Sequence, residues 1–300
     1  MSAFFLFVDG LEVGKEGPQN PLCSEKWSAF SYFTGCNGVH SGCAEREKGN
    51  RLFRKLDANL GVEGLPQSGT GQVTLFSGEN ASKMIGKHFG PYPYSITKPL
   101  LEKKSLFHKV IEMGKKPHFL NAYPDIFFRK SASKNRWTST TLMARSAGVR
   151  LNTIEDIRKG KAITAEITQH AWRDMLGLDV PGITPQEASE RVIASLKNFD
   201  LVLYEYYLTD KAGHEMDFEK ADRVLTDLND FVMGILQNMD KKDTLILTSD
   251  HGNLEDLSVR THTRNPVPLF VHGEIMPFRR SSSIMDITPG ILQLLKKEQK

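Results

Sequence analysis

Short unbroken apolar runs alternate along this chain with stretches in which apolar residues return every three or four positions. Phe4 to Val8 is the first run and predicts a buried strand, with a loop-rich stretch after it. Ser82 to Gly86 has the look of a helix opening. Ser105 to Gly114 is a clearer helix, closed by glycine, and "PHFLNAYP" predicts a second strand. Thr184-Pro185-Gln186-Glu187 combines a capping hydroxyl, a first-turn proline and a glutamate at the capping-box position, which predicts a helix to about Asn198. "DLVLYEYYL" then reads as a strand. From Asp217 onward, Ala221, Val224, Leu225, Leu228, Val232, Ile235 and Leu236 mark one face of a long helix.

Further strands are predicted at Thr244 to Thr248 and "PVPLFV", and the closing "SSIMDITPGILQLL" reads as helical despite Pro289. Strands alternating with helices predict an α/β fold with a mainly parallel sheet. Between Arg129 and about Gly182 the strand signal vanishes. Residues 129–183 therefore read as a mostly helical inserted lid, and 1–128 with 184–300 as the core around it. The chain shows no internal repeat and no low-complexity tract.

Composition narrows the function classes. The 300 residues are 39% hydrophobic and 25% charged, as in ordinary soluble globular proteins, and the net charge of +3 is too small to point to nucleic acid as a bulk partner. The apolar start "MSAFFLFVDG" is far too short to span a bilayer and lacks a basic region or cleavage site, so no membrane association and a cytoplasmic location are expected. Three cysteines, Cys23, Cys36 and Cys43, are too few for a disulfide framework. His40 lies between the last two, but the spacing lacks the tight Cys-x-x-Cys pairs of zinc knuckles, so ordinary reduced thiols are expected there.

The chemistry gathers where strands stop. Asp9 ends the first strand in "FLFVDG". "YLTDKAGH" follows another strand and holds Asp210 and His214 four residues apart, a spacing that puts both on one helical face. "TLILTSDHGN" drives into Asp250 and His251, and His262 follows in "THTRNPVPLF". In an α/β sheet, functional groups collect at the carboxyl ends of strands. Three carboxylates and three imidazoles on one edge suit borderline divalent ions such as Zn²⁺ or Mn²⁺, and six ligands are too many for one open catalytic ion, so two metals are expected. In "GLPQSGTGQVTLFSGENA", Ser68, Thr70 and Thr74 are hydroxyls in a glycine-punctuated turn of the type that approaches anions.

"FVDG", "QSGTGQ", "DKAGH", "SDHGN" and "THTRNPVPLF" come in the order seen in the alkaline phosphatase superfamily. The chain most resembles the metal-binding core of cofactor-independent phosphoglycerate mutase and phosphopentomutase. The resemblance implies a three-layer α/β/α sandwich. It also implies one metal on Asp9, Ser68, Asp250 and His251, and another on Asp210, His214 and His262. Ser68 would be the nucleophile, with Thr70 the alternative, forming a phosphoserine from a small anionic phosphate monoester. Gly252 would let the chain turn sharply away beneath the ion.

The insert at about Arg129 to Gly182 is too short for the mutases' transferase domain, which favours a phosphatase over a mutase. No C/S-x-P-x-R stretch supports a sulfatase. Phosphodiester or phosphonate hydrolysis and a catalytically silent metal-stabilised binding protein are the alternatives. From Arg129 to Lys161 there are nine Lys or Arg against Glu155 and Asp156, a basic segment suited to an anionic substrate, in which Arg145 and Arg150 are the candidate substrate contacts. A structural role is expected for His88 in "KHFGPYP".

Overall fold

The computed structural model describes residues 1–296 of the chain. Seven strands form one sheet: β1 (Ala3–Val8), β2 (Arg46–Lys48), β3 (Arg51–Leu56), β4 (Pro117–Phe119), β5 (Leu201–Tyr206), β6 (Thr244–Thr248) and β7 (Val267–His272), in the spatial order β2-β3-β7-β6-β1-β5-β4. β1 runs parallel to both β5 and β6, and β4 runs parallel to β5. The other side is antiparallel, because β7 reverses against β6, β3 against β7, and β2 against β3. The sheet is therefore mixed, and the expectation of a mainly parallel sheet holds for one half only. In the other half, a two-residue turn at Gly49-Asn50 joins Lys48 to Arg51, with Gly49 at φ +61 as a tight hairpin requires.

Both faces of the sheet are covered. On one, Phe4, Leu6 and Val8 of β1 meet Val202 and Tyr204 of β5 under the Ser28–Thr34, Pro185–Leu196 and Phe218–Asn238 helices. On the other, Ala3, Phe5 and Phe7 pack with Leu203 and Ile246 under helices that include Ser68–Ser77 and Ile287–Lys296. All six β1 residues are buried, which is why this strand reads as a continuous apolar run rather than an alternating one. The result is an α/β/α sandwich of the expected class.

Local signals held where several agreed. Thr184 and Glu187 form a reciprocal capping box over the Pro185–Leu196 helix, and Asp217 caps the Phe218–Asn238 helix by accepting from the Lys220 N–H. Pro289 is tolerated because it lies in the first turn of Ile287–Lys296, where its missing N–H has no helical partner to lose. "PHFLNAYP" yields only three strand residues, after which Asn121 and Ala122 make isolated bridges to Ile163 and Asn152. Segment 129–183 holds short helices separated by turns and irregular stretches, with fewer than half of its residues helical, and its Met143 and Ala144 pack in the same buried layer as Phe5 and Phe7.

Leu228 is fully buried on the sheet-facing side of the long helix. Leu228→Ala is expected to lower stability by about 3 kcal/mol through lost burial and a residual cavity, read from urea unfolding monitored by circular dichroism. A loss under about 1 kcal/mol would mean that this face does not carry the core.

Candidate metal centre

The parallel register brings the acids together. Val8 pairs with Tyr206 and Phe7 with Thr248, so Asp9, Asp210 and Asp250 all lie just beyond the same edge. The reversal of β7 matters equally, because its first residue, Val267, then starts at that edge and His262 enters the cluster from the preceding loop. Small residues let the loops close. Gly10 has φ +72, and a Cβ there would stand 2.7 Å from the Asp210 Cα. Ser249 Oγ accepts from the Leu11 N–H at 3.0 Å and donates to the His251 carbonyl at 2.9 Å, holding the Asp250-His251 turn against the loop after β1.

Gly252 has a different role from the expected sharp turn. Its φ is not left-handed; a Cβ there would stand 2.0 Å from the Glu12 carboxyl carbon, so the residue is small to admit Glu12. Glu12 and Glu255 are both buried, and the Thr263 hydroxyl lies between them within hydrogen-bond reach of each, tying the loop after β1 to the loop between β6 and β7.

Two ligand groups share one imidazole. Asp9, Asp250 and His251 form the first and Asp210, His251 and His262 the second, with ligand atoms in each group within 4.8 Å of one another. His251 Nε2 lies 3.4 Å from Asp9 Oδ1 and from Asp250 Oδ2, and its ring stacks on His262 at 3.8 Å between centroids. His214, on the helix Leu208–Glu215, joins the second group with Nε2 3.3 Å from Asp210 Oδ2 and 3.2 Å from His262 Nε2. The i,i+4 spacing does set Asp210 and His214 on one face.

The donor set fits divalent cations on three counts. His214 and His262 each present Nδ1 to a backbone carbonyl, of Arg260 and Pro66, at 2.7 Å, which turns Nε2 towards the cluster as metal-binding imidazoles usually do. Asp9 Oδ1 and both Asp250 carboxylate oxygens are buried without a hydrogen-bond partner. Burial, then the charge of Asp210 and, for Asp9, that of Asp250, pushes the Asp9 and Asp250 carboxyls well above the usual range, so the pair calls for a positive counter-charge. Burial likewise pushes His251 down to about 3, keeping its ring neutral and able to ligate.

Ser68 is the first residue of the Ser68–Ser77 helix rather than part of an irregular turn, and its Oγ lies 2.8 Å from His251 Nε2. Gly69 and Gly71 are small because the helix start packs closely. A Cβ at Gly69 would stand 2.3 Å from the Tyr92 carbonyl oxygen, and one at Gly71 2.9 Å from the Asp250 carbonyl oxygen. Thr70 is turned inward, fully buried, with Oγ1 accepting from the Phe89 N–H at 3.2 Å. Thr74 Oγ1 donates to the Thr70 carbonyl. His88 bridges Ser82 Oγ and the Val62 carbonyl, a structural position.

Arg145 and Arg150 are not drawn into the ligand cluster. Arg145 lies over the Trp137 ring at 3.6 Å, and Arg150 makes a bidentate ion pair with Asp156 at 2.7 and 2.9 Å. Sequence reasoning missed Glu205, a buried carboxyl that accepts from Thr140 Oγ1 at 2.6 Å and adds to the negative field on Asp9. Burial pushes it up to about 7. The available signal was a lone carboxylate inside the apolar run "LVLYEYY".

The family model described as "Metalloenzyme superfamily" matches residues 174–299, the part of the chain that supplies Asp210, His214, Asp250, His251 and His262. Over this carboxyl-terminal part, the match fits a metalloenzyme of the alkaline phosphatase superfamily. Its sequence is 27% identical over 124 residues to the 2,3-bisphosphoglycerate-independent phosphoglycerate mutase of Desulforudis audaxviator, covering 38% of this chain and 24% of that one. It is 32% identical over 149 residues to the phosphopentomutase of Clostridium kluyveri, covering 47% of this chain and 35% of the other. The match thus spans only about a quarter to a third of these curated relatives. The fold superposes on alkaline phosphatase from the Antarctic bacterium TAB5 with a TM-score of 0.57 at 14% identity, covering 98% of both chains. It superposes on PH0037 from Pyrococcus horikoshii with a TM-score of 0.58 at 14% identity, covering 100% of this chain and 98% of that one.

Gly10→Ala tests how closely the loops of the candidate centre are set. The left-handed φ and the 2.7 Å approach to Asp210 both oppose a Cβ. The expected result is about 2 kcal/mol less stability and at least about tenfold weaker Mn²⁺ binding, since a shift of roughly 1 Å at Asp210 would misplace a candidate ligand. Unchanged Mn²⁺ affinity by calorimetry would contradict this placement.

Proposed function

We propose that this metalloenzyme transfers the phosphoryl group of a small phosphate monoester to water through a phosphoserine at Ser68. The observation that carries the reading is the position of Ser68 Oγ, at a helix start and 2.8 Å from Nε2 of His251, the imidazole that both ligand groups share. Two divalent cations, Mn²⁺ or Zn²⁺, held by Asp9, Asp250 and His251 and by Asp210, His214 and His262, would acidify the serine hydroxyl and offset phosphate charge.

The chain's own part follows from its geometry. Ser68 releases its hydroxyl proton to solvent as Oγ attacks phosphorus, the bond from phosphorus to the substrate's alcohol oxygen breaks, and that oxygen leaves with its electron pair and takes a proton from solvent. Water then attacks the phosphoserine, freeing inorganic phosphate and restoring the hydroxyl. The N-terminus of the ten-residue Ser68–Ser77 helix favours the anion throughout. Close packing of Gly69 on the Tyr92 carbonyl holds that terminus still. The basic segment 129–161 attracts the anionic substrate through its field, with Arg145 and Arg150 as sources of charge rather than direct contacts.

Water as the acceptor is supported by the segment between Ser68 and Asp210, whose short helices pack into the layer around Phe5 and Phe7. An isomerising mutase is the second reading, favoured by the names of the two curated relatives. Phosphorus NMR of Mn²⁺-loaded protein with phosphopentoses, phosphoglycerates and p-nitrophenyl phosphate separates the two. Released inorganic phosphate is expected; a positional isomer without release would establish the mutase, and no turnover of any ester would overturn both.

A further inference from the structure

A second set of metal-type ligands lies outside the strand-edge centre, on the loop between the Ser28–Thr34 helix and β2. Cys36, His40 and Cys43 each bring a ligand atom within 4.8 Å of the others. Cys43 is fully buried, and the Cys36 and Cys43 thiols interact. His40 Nδ1 is shielded from solvent without a hydrogen-bond partner, and the Glu16 carboxylate lies 3.7 Å from it. Cys23 is not in the group; its thiol points to the Val39 carbonyl at 3.9 Å.

The loop is held in shape by its backbone rather than by these side chains. Thr34 Oγ1 accepts from the Cys36 N–H at 3.1 Å and donates to the Gly38 carbonyl at 2.8 Å, and Ser31 Oγ accepts from the Gly38 N–H at 3.0 Å. The Val39 N–H donates to the Leu22 carbonyl at 3.1 Å and the Ser41 N–H to the Gly14 carbonyl at 2.7 Å. Gly38, at φ +78, is the residue that allows this path, because a Cβ there would stand 1.9 Å from the Leu22 carbonyl oxygen. The two sulfurs and one imidazole are thus presented together before any ion arrives.

We propose that Cys36, His40 and Cys43 form a third metal site, selective for zinc or a similarly thiophilic divalent ion, with Glu16 or water at the fourth position. Two thiolates and an imidazole make a soft donor set, unlike the carboxylate-rich pair at the strand edge. Zn–S bonds of about 2.3 Å and Zn–N bonds of about 2.0 Å put neighbouring ligand atoms in a tetrahedron roughly 3.5–3.8 Å apart, reachable by a small contraction of this trio. Without an ion, burial pushes the Cys43 thiol up to about 12, so binding displaces protons from the sulfurs. The site braces rather than reacts. Ser41 bonds Gly14, and Gly14 packs on Glu255, which shares Thr263 with Glu12 beneath the Asp250-His251 turn.

Cobalt(II) reports on this site separately from the catalytic one, because only thiolate ligands give an intense sulfur-to-cobalt charge-transfer band. Titrating the reduced, metal-free full chain with Co²⁺ is expected to raise that band. Asp250→Asn keeps it, Cys36→Ser abolishes it, and His40→Gln weakens the underlying affinity at least about tenfold. Zn²⁺ is expected to protect Cys36 and Cys43, but not Cys23, from a thiol reagent. Circular dichroism confirms that each variant is folded; partly exposed His40 serves if Cys36→Ser is not. No charge-transfer band in the folded, reduced protein overturns the proposal, as does a band that survives Cys36→Ser. Conversion of Cys36 and Cys43 to a disulfide with no Zn²⁺ protection overturns it too. None of these outcomes bears on turnover by the Mn²⁺-loaded strand-edge centre.

Discussion

Ser68→Ala is expected to lower the proposed metal-dependent phosphoryl transfer by at least about a thousandfold, with the fold and metal content intact. The hydroxyl lies 2.8 Å from His251, and alanine suits the first turn of a helix, so the change removes the proposed attacking oxygen and little else. Acid-quenched protein labelled from radioactive substrate is expected to carry phosphate in the wild type and none in the variant. Thr70→Ala is the matched control. That hydroxyl is buried and accepts from the Phe89 N–H, so its loss is expected to cost about 1 kcal/mol of stability and less than tenfold in rate. Phosphoenzyme surviving in Ser68→Ala but lost in Thr70→Ala would transfer the nucleophile's role and refute the assignment.

Asp250→Asn is expected to separate stability from metal binding. In metal-free protein Asp250 is buried, both carboxylate oxygens lack partners, and Asp210 adds like charge. Replacing the carboxylate by an amide removes that repulsion, so the metal-free variant should be at least as stable as the wild type at neutral pH. The wild type should gain about 3–4 kcal/mol from Mn²⁺ at a hundred- to thousandfold excess over Kd, and the variant less than about 1 kcal/mol.

The pH dependence has a definite sign. Asp9 and Asp250 have folded-state pKa values raised above the unfolded ones, so their contribution to metal-free stability is full at acid pH and fades as pH rises through the folded values. Asp250→Asn should flatten that decline. An equal Mn²⁺ gain in both proteins, measured by thermal unfolding, would remove Asp250 from the metal centre.

How much was legible from sequence varied with how local the cause was. β1, β5 and β6 read correctly because strands buried on both faces are continuous apolar runs, and the capping box at Thr184 and Glu187 is complete within four residues. The hairpin of β2 and β3 was read as loop, since its charged edge residues hide the alternation and only the Gly49-Asn50 turn marks it. The Ser68–Ser77 helix was hidden by two glycines that serve packing against Tyr92 and Asp250, not flexibility. Cys36, His40 and Cys43 lack a zinc-knuckle spacing, and only the backbone path through Gly38 brings them together.

The sequence by itself determined the α/β class, the strand-end positions of Asp9, Asp210 and Asp250, and the shared helical face of Asp210 and His214, because each depends on contacts within a few residues. Only the tertiary structure decided that β7 runs against β6, and with it that His262 enters at the edge where the parallel strands end. In a fully parallel sheet, a residue before that strand would belong to the opposite edge. It also decided that His251 stands between both ligand groups, that Glu205 adjoins Asp9, and that Arg145 and Arg150 are committed to Trp137 and Asp156. Strand direction and long-range pairing are set by the packing of the whole sheet, which no local window of sequence contains.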